Sequence, residues 1–311
     1  MSHNGALLPD APLDDRDGLI WFDGELVPWR EARLHVLSHG LHYASSVFEG
    51  ERAYAGRVFR LHDHSERLIA SARELGFELP YSAADLDAAT REVVRRSGIT
   101  DGYVRPVAWR GSHNLRLASG DIPVHVAIAA WPWPDVFAPG ARLHGIRLGT
   151  SRWRRPSPHT APVRAKAASL YAVSTLAAHE AEAAGFDDAL LLDHRGLLAE
   201  ATGANLFLVL GRELHTPVPD CFLDGITRRT VIESARDLGI TVVERHIEPG
   251  ELAGATEVFL TGTAYEVQPV ASVDGLEFTV GEVTTALVKA FGQAVARDAE
   301  IHDAAAAGTA G

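Results

Sequence analysis

Residues 200–228 read EATGANLFLVLGRELHTPVPDCFLDGITR, and they combine three local signals in a fixed order. A carboxylate, Glu200, precedes a turn of small residues, and an apolar run typical of a buried strand follows that turn. After Asp224-Gly225, the pattern of residues 226–239 predicts a helix. A carboxylate, a strand and a helix start therefore follow one another in one short stretch.

Two turns rich in glycine and threonine could bind an anion. DGITRR (224–229) opens the predicted helix, and LTGTAYE (260–266) ends a predicted strand. Amides at a helix start, together with threonine hydroxyls, form phosphate sites. Arg60 could add the positive charge that a phosphate dianion favours. A simple helix cap remains the alternative for each turn, and a structural ion pair the alternative for Arg60.

Lysine is rare in this chain, and one of its two lysines has an unusual setting. APVRAKAASLYAVS (161–174) surrounds Lys166 with small residues, whereas Lys289 lies in the predicted last helix, 281–300. Burial among small apolar residues disfavours the charged form of a lysine and makes its neutral amine available as a nucleophile. Such lysines form Schiff bases with carbonyl compounds, pyridoxal phosphate included. A surface lysine that precedes a helix is the alternative.

Glu200 also has two interpretations. A carboxylate that faces a pyridinium nitrogen keeps the ring protonated and therefore a good electron sink. An acidic residue on the edge of a hairpin is the simpler interpretation. The sequence around Glu200 alone does not decide between them.

The order and spacing of these signals resemble one protein family. EATGANLF, six residues, LHT, six residues and LDGITR match the long signature of the class IV pyridoxal-phosphate aminotransferases at every fixed position. The matching residues are Glu200, Thr202, Asn205, Leu206, Phe207, Leu214, Thr216, Leu223, Gly225, Ile226 and Arg228. The segments that look like branched-chain amino acid aminotransferases, in the same order, are residues 35–50, 58–68, 103–106, 165–171 and 261–270. The resemblance runs from about residue 18 to about residue 298.

The resemblance implies an α+β fold of two domains, fold type IV and similar to D-amino acid aminotransferase, with the cofactor between the domains and a homodimer as the usual assembly. Lys166 then corresponds to the Schiff-base lysine that also moves the α-proton of the substrate. Tyr171 corresponds to the residue that hydrogen-bonds O3′ of pyridoxal 5'-phosphate, and Glu200 to the partner of its pyridine nitrogen. The residues that correspond to the phosphate site are Arg60, Ile226, Thr227, Gly262 and Thr263.

The resemblance also implies a substrate site and a reaction. The residues that correspond to the substrate pocket are Tyr43, Phe48, Tyr103, Arg105, Thr263 and Ala264. Tyr103-Val104-Arg105 is similar to the version for L-branched-chain amino acids, in which one pocket admits either an apolar side chain or the second carboxylate of glutamate. The implied reaction moves an amino group from an L-amino acid to a 2-oxo acid such as 2-oxoglutarate in ping-pong half-reactions.

Two residues depart from the family pattern. Arg116 stands where a small glycine is expected, in a loop (110–118) that in the family reaches the active site of the neighbouring subunit. We expect its guanidinium either to bind a polar substrate group at the mouth of the pocket or to point to solvent. Tyr265 stands where an alanine is common, and we expect it to narrow the site. Together they suggest a preference for a polar or unusual amino donor over leucine, isoleucine or valine.

Three other functions fit parts of the sequence. A class IV lyase acting on aminodeoxychorismate and a transaminase for D-amino acids or (R)-amines would share the fold and the cofactor. Tyr103-Val104-Arg105 disfavours both. A degenerate binding protein without activity is disfavoured because Lys166, Glu200 and both phosphate turns are present.

Composition limits the partners that we expect. The 311 residues carry a net charge of −12 with scattered arginines, which disfavours nucleic acid and anionic membranes. The single cysteine, Cys221, excludes an intrachain disulfide. The histidine pairs His39/His42 and His62/His64 lack the further ligands of a metal site, so no metal is expected. With no signal-peptide pattern and no long apolar run, we expect a cytoplasmic protein.

Turn and linker signals predict how the chain is divided. WPWPDVFAPG (131–140) combines three prolines with a final glycine and is interpreted as the interdomain linker. The predicted parts are a flexible N-terminal segment (1–17), a small α/β domain (18–130), the linker (131–140), a large cofactor-binding α/β domain (141–300) and a frayed tail (301–311).

Overall fold

The computed structural model describes residues 12–118, 120–133, 137 and 140–308, and only the backbone of residues 301–308. The chain divides into two compact units. Unit 1 is Met1–Asp135 with Ala165–Leu170, and unit 2 is Val136–Arg164 with Tyr171–Gly311. Each unit mixes strands and helices, so the α+β class and the division into two parts are confirmed.

Unit 1 is built on an antiparallel sheet against which helices pack. In chain order its elements are β1 (Leu19–Phe22), β2 (Glu25–Pro28), α1 (His39–Tyr43), β3 (Ser46–Phe48), β4 (Glu51–Tyr54), β5 (Arg57–Val58), α2 (Leu61–Glu74), α3 (Ala83–Arg96), β6 (Gly102–Arg110) and β7 (Val124–Pro132). The strand order is β2-β1-β7-β6-β4-β5, and β3 pairs with β6. The short β3 therefore lies beside the long central strand β6.

The sequence predicts two helices in unit 1: residues 62–77, with Leu68 and Ala72 on one apolar face, and residues 82–98, with Ser82 as N-cap and Asp85 three residues later. α3 begins with the predicted capping box, in which the Asp85 N–H donates to Ser82 Oγ (3.2 Å) and the Ser82 N–H donates to the Asp85 carboxylate (2.9 Å). Leu68 and Ala72 bury the apolar face of α2. α2 packs against β3 and β6, and this packing fixes the strand that ends at Phe48.

Unit 2 contains a mixed sheet of nine strands. In chain order its elements are α4 (Ala141–His144), β8 (Ile146–Arg155), α5 (Tyr171–Ala183), β9 (Asp188–Asp193), β10 (Leu198–Ala201), β11 (Asn205–Leu210), β12 (Glu213–Pro217), α6 (Ile226–Asp237), β13 (Thr241–Arg245), β14 (Glu257–Gly262), β15 (Glu266–Val273), β16 (Leu276–Glu277) and α7 (Glu282–Gly308). The strand order is β10-β9-β8-β15-β14-β11-β12-β13, with β16 on β15. None of the described helices is both long and apolar enough to span a bilayer.

The sheet of unit 2 closes on itself. β10 pairs with β9 on one side and with β11 on the other, through Glu200 and Asn205, so six strands form a ring. Apolar side chains from all six strands share one buried cluster, which includes Leu148, Leu190 and Leu260. Glu200 therefore lies where the ring closes, on a strand packed against the core of the unit.

The structure differs from the predicted boundaries around Lys166. Residues 165–170 pack with unit 1, although the sequence predicted a single domain over 141–300. The Lys166 carbonyl accepts from the Phe48 N–H, and Ala167 bridges to Val47, so this segment extends the hydrogen bonding of β3. The alanine-rich sequence predicts one helix over about 167–184, but the structure forms a 3₁₀ turn at Ala168–Leu170 followed by α5.

The chain ends also differ from the prediction. Arg30 pairs with Asp15 and Asp17, at 2.6 and 2.8 Å, and Trp29 donates to the Leu13 carbonyl, so part of residues 12–17 is held to the 3₁₀ turn that follows β2. α7 continues to Gly308, past the predicted helix end at residue 300. The rest of the predicted N-terminal segment (1–11), part of the predicted linker (134–136, 138 and 139) and the last three residues (309–311) lie outside the described residues.

Candidate active site

Lys166 lies on unit 1 in an extended segment that hydrogen bonds fix on both sides. Its N–H donates to Ser71 Oγ (2.9 Å), and its carbonyl accepts from the Phe48 N–H (3.1 Å). Ala165 and Ala167 are fully buried, whereas Lys166 is half-buried. Because neighbours in an extended chain point to opposite sides, the burial of both alanines directs the lysine side chain away from the core.

Three predicted substrate residues surround this lysine. Lys166 Nζ lies 5.1 Å from the centre of the Phe48 ring, and the guanidinium carbon of Arg105 lies 4.6 Å from the same centre. Arg105 Nη2 also donates to the Tyr103 hydroxyl (3.2 Å). The Lys166 amine and the Arg105 guanidinium therefore both lie close to one aromatic ring, whose electrons favour a positive charge without neutralising it. The cluster can therefore bind a carboxylate beside a lysine amine.

Three other predicted site residues of unit 1, Tyr43, Arg60 and Arg116, make contacts outside the cluster around Phe48. Tyr43 ends α1 and is half-exposed, with its ring 4.8 Å from that of His39. Arg60 is the N-cap of α2 in the left-handed conformation, 3.7 Å from Asp63, so the structural ion pair is present. The Arg116 side chain is 70% exposed and lies 3.5 Å from Asp121. Within this chain the Arg116 side chain is therefore exposed and paired with Asp121, and its part in a substrate pocket stays a prediction.

His39 holds the loop that carries Arg116, a role that sequence reasoning missed. Its ring is buried, with Nε2 3.2 Å from the Arg116 carbonyl oxygen and Nδ1 2.7 Å from Ser45 Oγ. Since a carbonyl only accepts, Nε2 carries the proton and Nδ1 accepts from the Ser45 hydroxyl. His39 therefore ties the loop 110–118 to the start of α1.

A buried charge network beside Phe48 was also missed. Glu49 accepts from Arg67 at two oxygens, both at 2.7 Å, and lies 2.7 Å from His64 Nδ1. Burial alone would raise the pKa of Glu49, but the charge of Arg67 and the hydrogen bonds from Arg67 and His64 hold it well below its usual value. Burial lowers the pKa of His64, whose neutral ring donates from Nδ1. The spacing of His64 and Arg67 on one face of α2 was the sequence signal.

Glu200 on unit 2 is buried and paired. Its carboxylate lies 3.1 Å from Arg155 Nε and accepts from Asn205 Nδ2 at 3.2 Å. Asn205 Nδ2 also donates to the Leu223 carbonyl (2.9 Å), and a methyl group at Gly225 would overlap Asn205 Oδ1. Asn205 thus connects Glu200 to the start of α6. The sequence marked Asn205 as a signature position without a role and gave no signal for Arg155.

The two predicted phosphate turns of unit 2 are formed by backbone as well as side chains. Ile226 and Thr227 are buried at the start of α6, where no side chain caps the helix, so its first amides are available to an anion. Gly262 ends β14, and Thr263 and Ala264 form the half-buried turn after it.

Arg228 holds the start of α6 in place through buried hydrogen bonds. This buried guanidinium donates to Asp224 and Glu244, both at 2.8 Å, and to the Pro217 carbonyl. The helix start is therefore fixed to the loop before it and to β12 and β13. Tyr171, the predicted neighbour of the cofactor O3′, is the first residue of α5.

One trio of potential metal ligands occurs among the described residues, and the sequence did not suggest it. Asp193, His194 and Cys221 place their ligand atoms within 4.8 Å of one another. Arg195 Nη2 donates to Asp193 at 2.6 Å and lies 3.7 Å from Cys221 Sγ. Burial, followed by Asp220, raises the pKa of Cys221 to about 12. A guanidinium already fills the cationic position, and the thiol stays protonated.

Comparison with known proteins identifies the family. A model of the amino-transferase class IV family matches residues 46–273. A probable branched-chain-amino-acid aminotransferase of Rickettsia felis is 43% identical over 281 residues, 89% of this chain and 95% of that protein. The branched-chain-amino-acid aminotransferase of Pseudomonas aeruginosa is 41% identical over 297 residues, 93% of this chain and 97% of its own.

A solved structure agrees with these relatives. The crystal structure of the branched-chain amino acid aminotransferase of Escherichia coli is 38% identical, with a TM-score of 0.87 over 90% of this chain and 95% of that one. The fold and the sequence signature therefore point to the same proteins. The chain belongs to the class IV aminotransferases and, within them, to the branched-chain amino acid aminotransferase family.

Proposed function

We propose that this chain moves an amino group from a branched-chain L-amino acid to a 2-oxo acid such as 2-oxoglutarate, using Lys166 as the lysine that binds pyridoxal phosphate. The observation that carries the proposal is the cluster on unit 1, where the Lys166 amine and the Arg105 guanidinium both lie close to the Phe48 ring. A lysine nucleophile and a carboxylate-binding group are what transamination of an amino acid requires.

The residues of unit 2 fit the cofactor. Pyridoxal phosphate, when bound, supplies the electron sink that stabilises negative charge at the α-carbon of the substrate. We assign Glu200 to its pyridine nitrogen, because this buried carboxylate is held by Arg155 and Asn205. For the phosphate we assign Arg60, the first turn of α6 at Ile226 and Thr227, and the turn at Gly262 and Thr263. The close approach of Gly225 to Asn205 leaves no room for a side chain at that turn.

The cluster around Phe48 on unit 1 also supports an assignment of the substrate residues. We assign Arg105 and Tyr103 to the carboxylate of glutamate or 2-oxoglutarate, and Phe48 to the apolar side chain of the branched-chain donor. Tyr43, Arg116 and Ala264 complete the proposed pocket. Lys166 moves the proton at the α-carbon, since a neutral amine can accept and return it. Because one site serves both substrates in turn, ping-pong kinetics are expected.

A branched-chain donor is proposed in preference to the polar or unusual donor that Arg116 and Tyr265 suggested. The Arg116 guanidinium lies beside Asp121, which offsets its charge within the loop. The Tyr265 hydroxyl donates to Asp188 (2.8 Å). The relatives named for branched-chain amino acids match nearly the full chain, and they favour neither the lyase nor the D-amino acid alternative.

The first test uses the low lysine content of the chain. Lys166→Ala should abolish the absorbance of the lysine-bound cofactor and lower kcat about 100-fold or more. Lys289→Ala, the matched control at an exposed position of α7, should leave both unchanged. Borohydride reduction and peptide mass analysis should place the phosphopyridoxyl group on the peptide that contains Lys166. A label on Lys289 instead would overturn the assignment.

The second test measures the donor. In the first half-reaction one amino acid is mixed with the cofactor-loaded enzyme, and 2-oxoglutarate is added only afterwards as the acceptor. This half-reaction should be fastest with L-leucine, L-isoleucine and L-valine. D-leucine is the control and should not react. A polar amino acid that reacts faster than all three would overturn the proposed donor in favour of the Arg116 hypothesis.

We also assign a homodimer, in which the loop 110–118 reaches the neighbouring active site, and a cytoplasmic location. Unit 1 supports the dimer because Val36, Leu41 and Leu117 expose 70%, 64% and 75% of their surfaces. The single cysteine supports the location, since no intrachain disulfide has to form in an oxidising compartment.

A further inference from the structure

Asp188, the first residue of β9, is a buried carboxylate that sequence reasoning did not single out. Its Oδ1 accepts from the Thr202 hydroxyl (2.6 Å) and from the Ala189 N–H (2.8 Å), and its Oδ2 accepts from the Tyr265 hydroxyl (2.8 Å). The two side-chain donors come from different parts of unit 2. One carboxylate therefore holds two segments that are far apart in sequence.

Both segments carry proposed cofactor residues. Thr202 follows Glu200 by two residues, and Tyr265 directly follows the turn of Thr263 and Ala264. The two segments also touch directly, because a methyl group at Gly262 would lie 3.0 Å from the Gly203 carbonyl oxygen. The spacing between the two segments is thus set by contact and by the hydrogen bonds to Asp188.

Packing and protonation both keep the Tyr265 side chain in place as a hydrogen-bond donor to Asp188. Its ring packs edge-on against Phe137, with 5.1 Å between ring centres, and contacts the apolar core of unit 2. Burial, followed by the charge of Asp188, raises the pKa of the Tyr265 phenol well above its usual value, so the hydroxyl remains a donor. That Tyr265 narrows the site stays a prediction, and the structure adds that its hydroxyl is bound to Asp188.

We propose that Asp188 and Tyr265 are positioning residues of the aminotransferase reaction, which hold the Thr263–Ala264 turn at a fixed distance from the segment that carries Glu200. The proposal rests on the proposed function, because it assigns the turn to the phosphate and the substrate. Without the hydrogen bond between Tyr265 and Asp188, the Thr263–Ala264 turn is no longer held at the end that leads away from β14. The cofactor then dissociates faster and the 2-oxo acid binds more weakly, while the chemical step at Lys166 changes little.

The test compares Tyr265→Phe with a matched loss of a hydroxyl elsewhere. Tyr265→Phe should speed dissociation of pyridoxal phosphate from the holoenzyme about three- to tenfold, the range expected for one buried hydrogen bond. KM for 2-oxoglutarate should rise by a similar factor, with kcat within about twofold. Tyr81→Phe is the control, because the Tyr81 hydroxyl on unit 1 has no hydrogen bond within the part of the chain that the structure describes, and it should change neither quantity.

Two further variants separate positioning from folding. Thr202→Val removes the other donor and leaves Tyr265 intact, so it should also speed cofactor release. Asp188→Ala combined with Tyr265→Phe should release the cofactor no faster than Asp188→Ala alone, because Asp188→Ala already removes the acceptor of the Tyr265 hydrogen bond. Variants that lower only the melting temperature, with cofactor release and KM unchanged at 25 °C, would overturn the proposal.

These outcomes differ from failure of the proposed function. If reduction labels Lys289 rather than Lys166, the proposed function fails regardless of Tyr265. If Lys166 carries the label and Tyr265→Phe releases the cofactor at the parent rate, only the positioning role of Asp188 and Tyr265 fails.

Discussion

Glu51 on β4 is a buried carboxyl group, and its Oε2 has no hydrogen-bond partner among the residues that the structure describes. Burial raises its pKa well above the usual value, and the charges of Glu49 and Asp87 raise it further, while Arg67 and Arg105 oppose the shift. The neutral acid is therefore the form that the folded state prefers. At any pH at which Glu51 is ionised in the unfolded chain but neutral in the folded protein, it lowers the free energy of unfolding.

Glu51→Gln tests this cost. The folded pKa of Glu51 lies above its ordinary value of 4.5, so its contribution to stability is present below that pH and is lost as the pH rises towards the folded pKa. The free energy of unfolding of Glu51→Gln should exceed that of the parent by an amount that grows by up to about 1.4 kcal/mol per pH unit above the ordinary value. Urea unfolding at several pH values measures the difference.

The exposed Glu25→Gln on β2 is the control, and its unfolding free energy should follow the parent at every pH. A constant difference between Glu51→Gln and the parent from acid to neutral pH would show that Glu51 has no raised pKa. The buried Glu49 makes the opposite contribution, since its lowered pKa adds stability above the usual carboxyl range that disappears as the pH falls.

At the scale of elements, the start of α6 is the most tightly fitted feature of the candidate site. Gly225→Ala would force a methyl group against Asn205 Oδ1, although the backbone of Gly225 is an ordinary extended one. We expect about 1–3 kcal/mol of destabilisation, as for other overpacked sites. Cofactor affinity should fall as well, because Asn205 also supports Glu200.

Gly292→Ala in α7 is the matched control substitution, and it should raise stability where Gly225→Ala lowers it. A methyl group there meets nothing within 4 Å, so the substitution should raise stability by about 0.5–1 kcal/mol through helix propensity alone. Thermal unfolding of the two variants gives the comparison. Equal effects of the two substitutions would show that the contact with Asn205 does not constrain the turn.

Elements with strong local signals were predictable, whereas their pairing was not. Ser82 as N-cap, Asp85 three residues later and Gly98 as a stop predicted α3 within two residues of its observed ends. The signature predicted the strand at Asn205 and the helix start at Ile226. The pairing of β10 with β11, and of residues 165–170 with β3, depends on contacts that local patterns do not encode.

The same division holds for the candidate site. Lys166 and Arg105 both lie close to Phe48, and Arg105 donates to Tyr103, so residues that the short motifs assigned to one site lie together on unit 1. Their roles in the reaction stay predictions. The sequence missed several residues that hold the candidate site in place: Arg155, His39, Asp188 and the network of Glu49, His64 and Arg67. Each acts through a partner distant in sequence, and only the spacing of His64 and Arg67 on α2 gave a local signal.

At the scale of the whole molecule, the exposed apolar residues of unit 1 lead to a prediction about assembly. Leu117→Asp should shift the proposed dimer towards monomer and raise KM for the amino donor, because a charge cannot be buried in an apolar interface without a large cost. Leu238→Asp, at an exposed position after α6, is the control and should leave the assembly unchanged. Analytical ultracentrifugation measures both. A Leu117→Asp variant with the parent's mass in solution would rule this loop out of the interface.

One register pair closes the ring of unit 2, that of Glu200 with Asn205, whereas each other neighbouring pair in the ring has at least three. The closure is the weakest seam of the ring, and the residue assigned to the pyridine nitrogen lies on it. A ligand that binds only the closed ring adds its binding free energy to the closure. The empty protein should therefore open first at this seam, and amide hydrogen exchange along β10 and β11 would report how much of the enzyme carries its cofactor.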